Sequence, residues 1–228
     1  MNSYILHYAP DNASLIIRLA LDALGQPYRT VLVDRATCAQ TSPAYLSLNP
    51  HGLIPVLECQ DGAIFETGAI LLWLSDRHGE LGPKIHTPRR ADFLKWLFFI
   101  SNTVHPALRM TFYPEKYAGP DPAHQAALRT TMQAALTRHL KSLDARAAQG
   151  PFELAIQFYL AALLRWCVLY PVQKDRNWFN LDELPHLKAM CLSLETLPSV
   201  AAAQKAEGLG PTPFSAPQYA TPPQGSAT

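Results

Sequence analysis

The sequence predicts two units in series, a mixed α/β unit over residues 1–80 and an all-helical unit over residues 91–209. Three observations carry this. Short β-like runs alternate with helical periodicity only before residue 80. A linker-like stretch, 81–90, holds Gly82, Pro83 and Pro88. Beyond it, apolar residues recur at helical spacing with no strand signal. A Pro-rich tail occupies residues 210–228.

Residues 4–8 (Tyr-Ile-Leu-His-Tyr) read as a strand, ended by the turn residues Pro10, Asp11 and Asn12. From Ser14 the period becomes helical through Leu15, Ile16, Leu19, Ala20 and Ala23, until Gly25 and Pro27 stop it. Residues 29–33 read as a second strand. The polar segment 34–53 has room for a short helix near 43–48. Residues 54–58 and 63–65 flank Asp61-Gly62, a hairpin signal. A helix then opens near Thr67, carries Ile70, Leu71 and Leu74, and ends by Gly79. A helix between the first two strands favours a parallel pair, and the hairpin adds antiparallel strands, so a four-stranded mixed sheet is expected. Segments 90–113, 122–148, 152–170 and 183–205 read as helices. In the tail, Pro recurs too often for a helix, which leaves an extended surface path or disorder.

Composition removes several functions. Nineteen Lys+Arg against 18 Asp+Glu leave a formal charge of +1, so nothing argues for nucleic acid. Four scattered cysteines (38, 59, 167, 191) form no C-x-x-C, and no two of the eight histidines stand at i, i+4, so no metal is expected. The longest apolar stretch, 154–172, contains Gln157, Arg165 and Pro171, which reads as a buried helix and not a membrane span. With no secretory signal visible, a cytoplasmic protein is expected.

Three places could carry chemistry. At Ile54-Pro55 a proline opens a strand; if its bond is cis, the main-chain N–H and C=O of Ile54 turn outward and can pair with a peptide-like ligand, whereas a trans edge proline would be merely structural. Glu66-Thr67 stands where a strand meets a helix N-terminus, where N–H groups bind carboxylates and Glu66 can hold an ammonium; plain capping by Thr67 is the competing reading. At Asp11-Asn12-Ala13-Ser14, a Ser hydroxyl or Asn amide at a helix start would lower a thiol's pKa, while Ser14 reads equally well as an ordinary cap. Asp11 would oppose that effect, so it is expected to point away.

Taken together, strand 4–8, the loop and helix at 11–24, Asn49-Pro50-His51-Gly52-Leu53-Ile54-Pro55 and Glu66-Thr67 resemble the cytosolic glutathione transferase family. The resemblance implies a thioredoxin-like N-terminal domain, an all-α C-terminal domain and glutathione as co-substrate. It places Pro55 as the cis-proline, Ile54 against the cysteinyl main chain, Glu66 and Thr67 at the γ-glutamyl end and His51 near the glycyl end. Trp96 to His105 resembles the helix whose histidine faces glutathione in bacterial, beta-like members, which makes His105 a candidate. Tyr8, Phe99, Phe112, Tyr113 and Tyr170 are candidates to line an acceptor pocket, although such aromatic stripes are more often core. The family usually forms homodimers.

There are two departures. The cysteine of beta-like members falls on Ala13, which excludes mixed-disulfide chemistry there and leaves Ser14 and Asn12 as thiolate-stabilising candidates. The Ser/Thr-x-x-Asp cap before the buried helix is replaced in a shorter loop by residues 150–157, so that helix should start differently. The expected function is glutathione transfer to a small apolar electrophile. The alternatives are a glutathione-dependent reductase, isomerase or lyase reaction in the same site, and a non-catalytic binding module.

Overall fold

The computed structural model describes residues 4–172 and 176–227. Four strands, β1 (Tyr4–Tyr8), β2 (Tyr28–Leu32), β3 (Val56–Cys59) and β4 (Gly62–Phe65), form one sheet in the order β2-β1-β3-β4. β1 runs parallel to β2 and antiparallel to β3, and β3 pairs antiparallel with β4 across the Asp61-Gly62 turn. Leu6 thus lies between Thr30 and Leu57 in the ladder. The mixed sheet expected from sequence is present, and the remaining elements are helical.

Helix α1 (Ser14–Ala23) buries every residue from Ser14 to Leu21, because it is covered by the sheet on one side and helices on the other. The short α2 (Pro43–Leu46) lies in the 34–53 segment, and α3 (Thr67–His78) ends on Gly79 in the left-handed conformation, a glycine C-cap. The helical part contains α4 (Arg90–Phe99), α5 (His105–Phe112), α6 (Glu115–Ala118), α7 (Pro122–Ala147), α8 (Leu154–Leu169), α9 (Pro185–Leu194) and α10 (Pro198–Glu207). Of these, α8 is the core: nearly its whole length is buried, including Phe158, Tyr159 and Arg165.

Two expected helices are interrupted. The 90–113 segment passes through a π-turn at Ile100–Val104 just before Pro106, which has no N–H and whose ring crowds the preceding turn, so the ladder widens there. The 183–205 segment splits into α9 and α10 at Pro198, which occupies the first position of the second helix. The start of α8 carries no side-chain cap. Instead the Leu81 carbonyl accepts from Ala155 N–H at 2.9 Å, and Gln157 Nε2 donates to the Phe152 carbonyl at 2.6 Å.

The tail is neither loose nor helical. Phe214 is fully buried, and the N–H groups of Phe214 and Ser215 both donate to the Glu195 carboxylate at 2.8 Å. Gly208 has φ +63°, and a Cβ there would come within 2.1 Å of the Thr221 carbonyl oxygen, so only glycine admits the tail's return. The chain then crosses to the sheet side, where Arg35 donates to the Ala227 carbonyl at 3.1 Å.

What holds these parts together is a buried ion pair. Arg165 of α8 reaches Asp11, in the loop after β1, through Nε at 2.8 Å and Nη2 at 2.9 Å, and both side chains are fully buried. Its other donors go to the tail carbonyls of Leu209, Pro213 and Gln218. The Asp11 carboxylate also accepts from Trp166 Nε1 at 2.9 Å and Tyr170 OH at 2.8 Å, and the Asp11 N–H donates to Glu207, itself paired with Arg18. Asp11 adopts a left-handed φ of 48° to serve this network. Removing one member of such a pair strands the other charge in the interior. Arg165→Met should therefore lower stability by about 3–5 kcal/mol, and the double variant Asp11→Asn/Arg165→Met should recover part of that loss, both read by urea denaturation.

Candidate functional site

A cleft of about 870 Å³ opens between the sheet edge and the helical part. On the sheet side it is lined by Asn12, Ile54, Pro55, Glu66 and Thr67. Facing them are His105, Phe112, Tyr113, Tyr159 and Trp166, with Tyr170 beside them. A separate cavity bounded by Trp96 and Phe152, about 120 Å³, is too small for a peptide.

Each wall is positioned by local forces. The Ile54–Pro55 bond is cis. The loop before it is fastened by two donors to the Leu53 carbonyl, Tyr45 OH and Asn49 Nδ2, each at 2.8 Å. The Ile54 N–H and C=O have no internal partner among the described residues, and Ile54 lines the cleft. Beside them, α3 starts at Thr67, and its first bond runs from Ile70 N–H to the Glu66 carbonyl. The N–H groups of the first turn are left open, with the positive end of the helix dipole behind them. Gly68 lets this terminus approach the helical part, since a Cβ there would stand 3.1 Å from the Ser101 Cβ. Glu66 is exposed, at a positive φ of 71°.

The loop after β1 supplies one open group and withholds another. The Asn12 side chain lines the cleft without a partner among the described residues, its Oδ1 buried and unsatisfied. The Ser14 hydroxyl is fully buried, donating to the Ala9 carbonyl at 2.9 Å and accepting from the Ala9 N–H at 3.2 Å. It does not line the cleft, so the local turn consumes it. Asp11 turns its carboxylate into the helical part, where four donors saturate it.

The other sequence candidates divide in the same way. Phe112 and Tyr113 line the cleft, as does His105. Tyr8 is buried under the Arg18 guanidinium, 4.9 Å from its ring centroid, and Phe99 packs edge-on against Trp96 and His139; neither reaches the cleft. His51 is exposed, stacks edge-on against Phe65 and stands outside the lining, although Gly52 and Leu53 belong to it. Sequence reasoning missed Tyr159 and Trp166. They sit on a helix apolar all round, where nothing in the periodicity marks one face as lining a cavity.

His105 Nδ1 stands 2.9 Å from the Tyr159 hydroxyl, its ring packed edge-on against Tyr159 and tilted over Trp166. Burial, reinforced by the Arg109 charge, pushes its pKa down to about 4, so the imidazole is neutral at pH 7. Burial and the nearby Glu66 charge raise the Tyr159 phenol, which stays protonated. The unfolded chain takes up the histidine proton near pH 6.5 while the folded one resists it. Stability from this site is therefore intact above pH 6.5 and lost as the pH falls toward 4, on the order of 3 kcal/mol. Denaturation midpoints measured across that window should fall in the wild type and flatten in His105→Gln.

Residues 13–77 match the family model for the glutathione S-transferase N-terminal domain. Glutathione S-transferase GST-4.5 of Xanthomonas campestris pv. campestris is 29% identical over 213 residues, covering 90% of this chain and 98% of that protein. Glutathione S-transferase GstA of Escherichia coli O157:H7 is 28% identical over 208 residues, with the same coverage of 90% and 98%. Among solved structures, a Sulfitobacter glutathione transferase homologue with bound glutathione superposes with a TM-score of 0.76 at 23% identity, over 90% of this chain and 98% of that one. With a thioredoxin-like N-terminal domain followed by a helical one, the chain is similar along nine-tenths of its length to bacterial glutathione S-transferases, and its residues 13–77 match the N-terminal domain of that family.

Proposed function

We propose that the protein is a glutathione transferase that binds glutathione in the cleft between Ile54 and Thr67 and stabilises its thiolate for attack on a small electrophile. One observation carries the reading. Ile54 with its unpaired main chain, Thr67 at the open N-terminus of α3, and Glu66 line a single wall. These groups match in turn a peptide's main chain, an α-carboxylate and an ammonium. Residues 1–80 are the glutathione-binding domain in this reading, and residues 91–209 supply the acceptor pocket.

Asn12 is the thiolate-stabilising group. Asn12 lines the cleft, and an N–H that its side-chain amide donated to sulfur would favour the charged form. Ser14 is set aside by its bonds to Ala9. In the reaction the thiolate sulfur forms a bond to the electrophilic carbon. With an aryl halide the halide leaves with the bonding pair, and the thiol proton passes to water. Orientation and charge stabilisation are the protein's contribution, with no metal invoked. The reading carries with it a homodimer and a cytoplasmic setting for detoxification. The setting fits four cysteines that are all free.

A non-catalytic binding module is the second reading, favoured by Ala13 and by the withdrawal of Ser14 from the cleft. Conjugation of glutathione with 1-chloro-2,4-dinitrobenzene separates the two. The transferase reading expects turnover that falls about 10- to 100-fold in Asn12→Ala. Ser14→Ala should keep its kcat but lose about 1 kcal/mol of stability. Retention on a glutathione column without turnover would establish the binding module instead.

A further inference from the structure

The wall of the cleft formed by α5, α6 and α7 carries three cations against one carboxylate. Arg109 of α5, Lys116 of α6 and Arg129 of α7 all line it, and among the described residues none has a carboxylate within 4 Å. Their contacts are to neutral groups. The Arg109 guanidinium stands 5.9 Å from the Tyr117 ring centroid, Lys116 Nζ stands 4.6 Å from that of Tyr113, and Arg129 Nε donates to the Thr111 carbonyl at 3.1 Å. Away from the cleft, Arg18, Arg90, Arg146 and Arg165 are each set against a carboxylate, whereas Arg138 and Arg176 donate to main-chain carbonyls. Three carboxylates line the cleft. Asp11 is saturated by its four donors, Glu66 belongs to the opposite wall, and Glu115 alone shares the wall with the three cations. His105 is neutral and adds nothing to the positive field.

Unneutralised cations in a concave, partly desolvated wall favour an anion, because the field is focused there and water screens it poorly. The aromatic rings beneath them offer flat apolar faces to the same ligand. We propose that the acceptor taken by this cleft is an anionic aromatic electrophile, its carboxylate or equivalent group met by Arg109, Lys116 and Arg129 and its ring lying among Phe112, Tyr113 and Tyr117. This rests on the transfer reading for the identity of the acceptor, but the anion site itself does not.

Calorimetric titration of the full chain tests it with an unreactive pair, 3,5-dinitrobenzoate and 3,5-dinitrobenzamide, which differ in charge and hardly in shape. Glutathione is titrated first and by itself, so failure of the transfer reading shows separately as no glutathione uptake. With glutathione saturating, the benzoate is expected to bind at least tenfold tighter than the amide. That advantage should shrink at least fivefold in Arg109→Gln/Arg129→Gln and at 0.5 M salt, while glutathione affinity changes less than twofold. The exposed Lys116→Gln carries the same comparison should the double variant not fold. If glutathione does not bind but the benzoate preference persists, the anion site stands and the transfer reading falls. Equal affinity for the two probes, no binding of either, or variants that weaken glutathione and spare the benzoate would overturn the proposal. The last result would give these cations to glutathione's own carboxylates.

Discussion

The Asp11–Arg165 pair is the constraint on which the rest depends. It joins the loop after β1 to the buried helix α8, and the same guanidinium collects three carbonyls of the tail, so sheet, helices and C-terminal segment meet at one point. In a dry interior such a pair is costly to assemble and costlier to break, since each half alone is an unsolvated charge. The cost is met by completeness. Every Arg165 donor has an acceptor, and both Asp11 oxygens accept twice. Burial and the Asp11 charge hold the Tyr170 phenol in its protonated, donating form, which secures the fourth of those bonds.

This clamp also sets up the candidate site. Asp11 is held by α8 and Ser14 by Ala9, so the two residues between them have little freedom, and Asn12 is the one whose polar group is left facing the cleft. Across from it stand a helix N-terminus and an acidic side chain, then a neutral histidine–tyrosine pair, then a wall of unpaired cations. The cleft therefore changes electrostatic character along its length. A ligand with an amino-acid head at one end and an anionic aromatic group at the other would find a complementary group at each position.

Much of the fold was legible because it rests on local signals: Gly25 and Pro27 ending α1, Asp61-Gly62 turning the hairpin, Gly79 closing α3. Ile54, Pro55, Glu66 and Thr67 were legible as a group, through spacing and family resemblance, and all four line one wall. What could not be read depended on partners far away in sequence. Ser14 and Asn12 look equivalent at a helix start, and only the Ala9 main chain separates them. Asp11 reads as a turn residue until Arg165 arrives from 154 residues downstream. The tail reads as loose because its order comes from α8 and Glu195 and not from its own prolines. The π-turn at Ile100–Val104 needed the consequence of Pro106 inside a helical period to be taken further than periodicity takes it.

The most direct measurement of the central claim is a titration of the isotopically labelled protein with glutathione, followed by amide chemical shifts. The account predicts saturable shifts at millimolar glutathione or below, largest for the backbone amides of Ile54, Thr67 and Gly68 and for the Asn12 side-chain amide, with the Ser14 amide little moved. Saturable shifts centred elsewhere, or none at those concentrations, would contradict it.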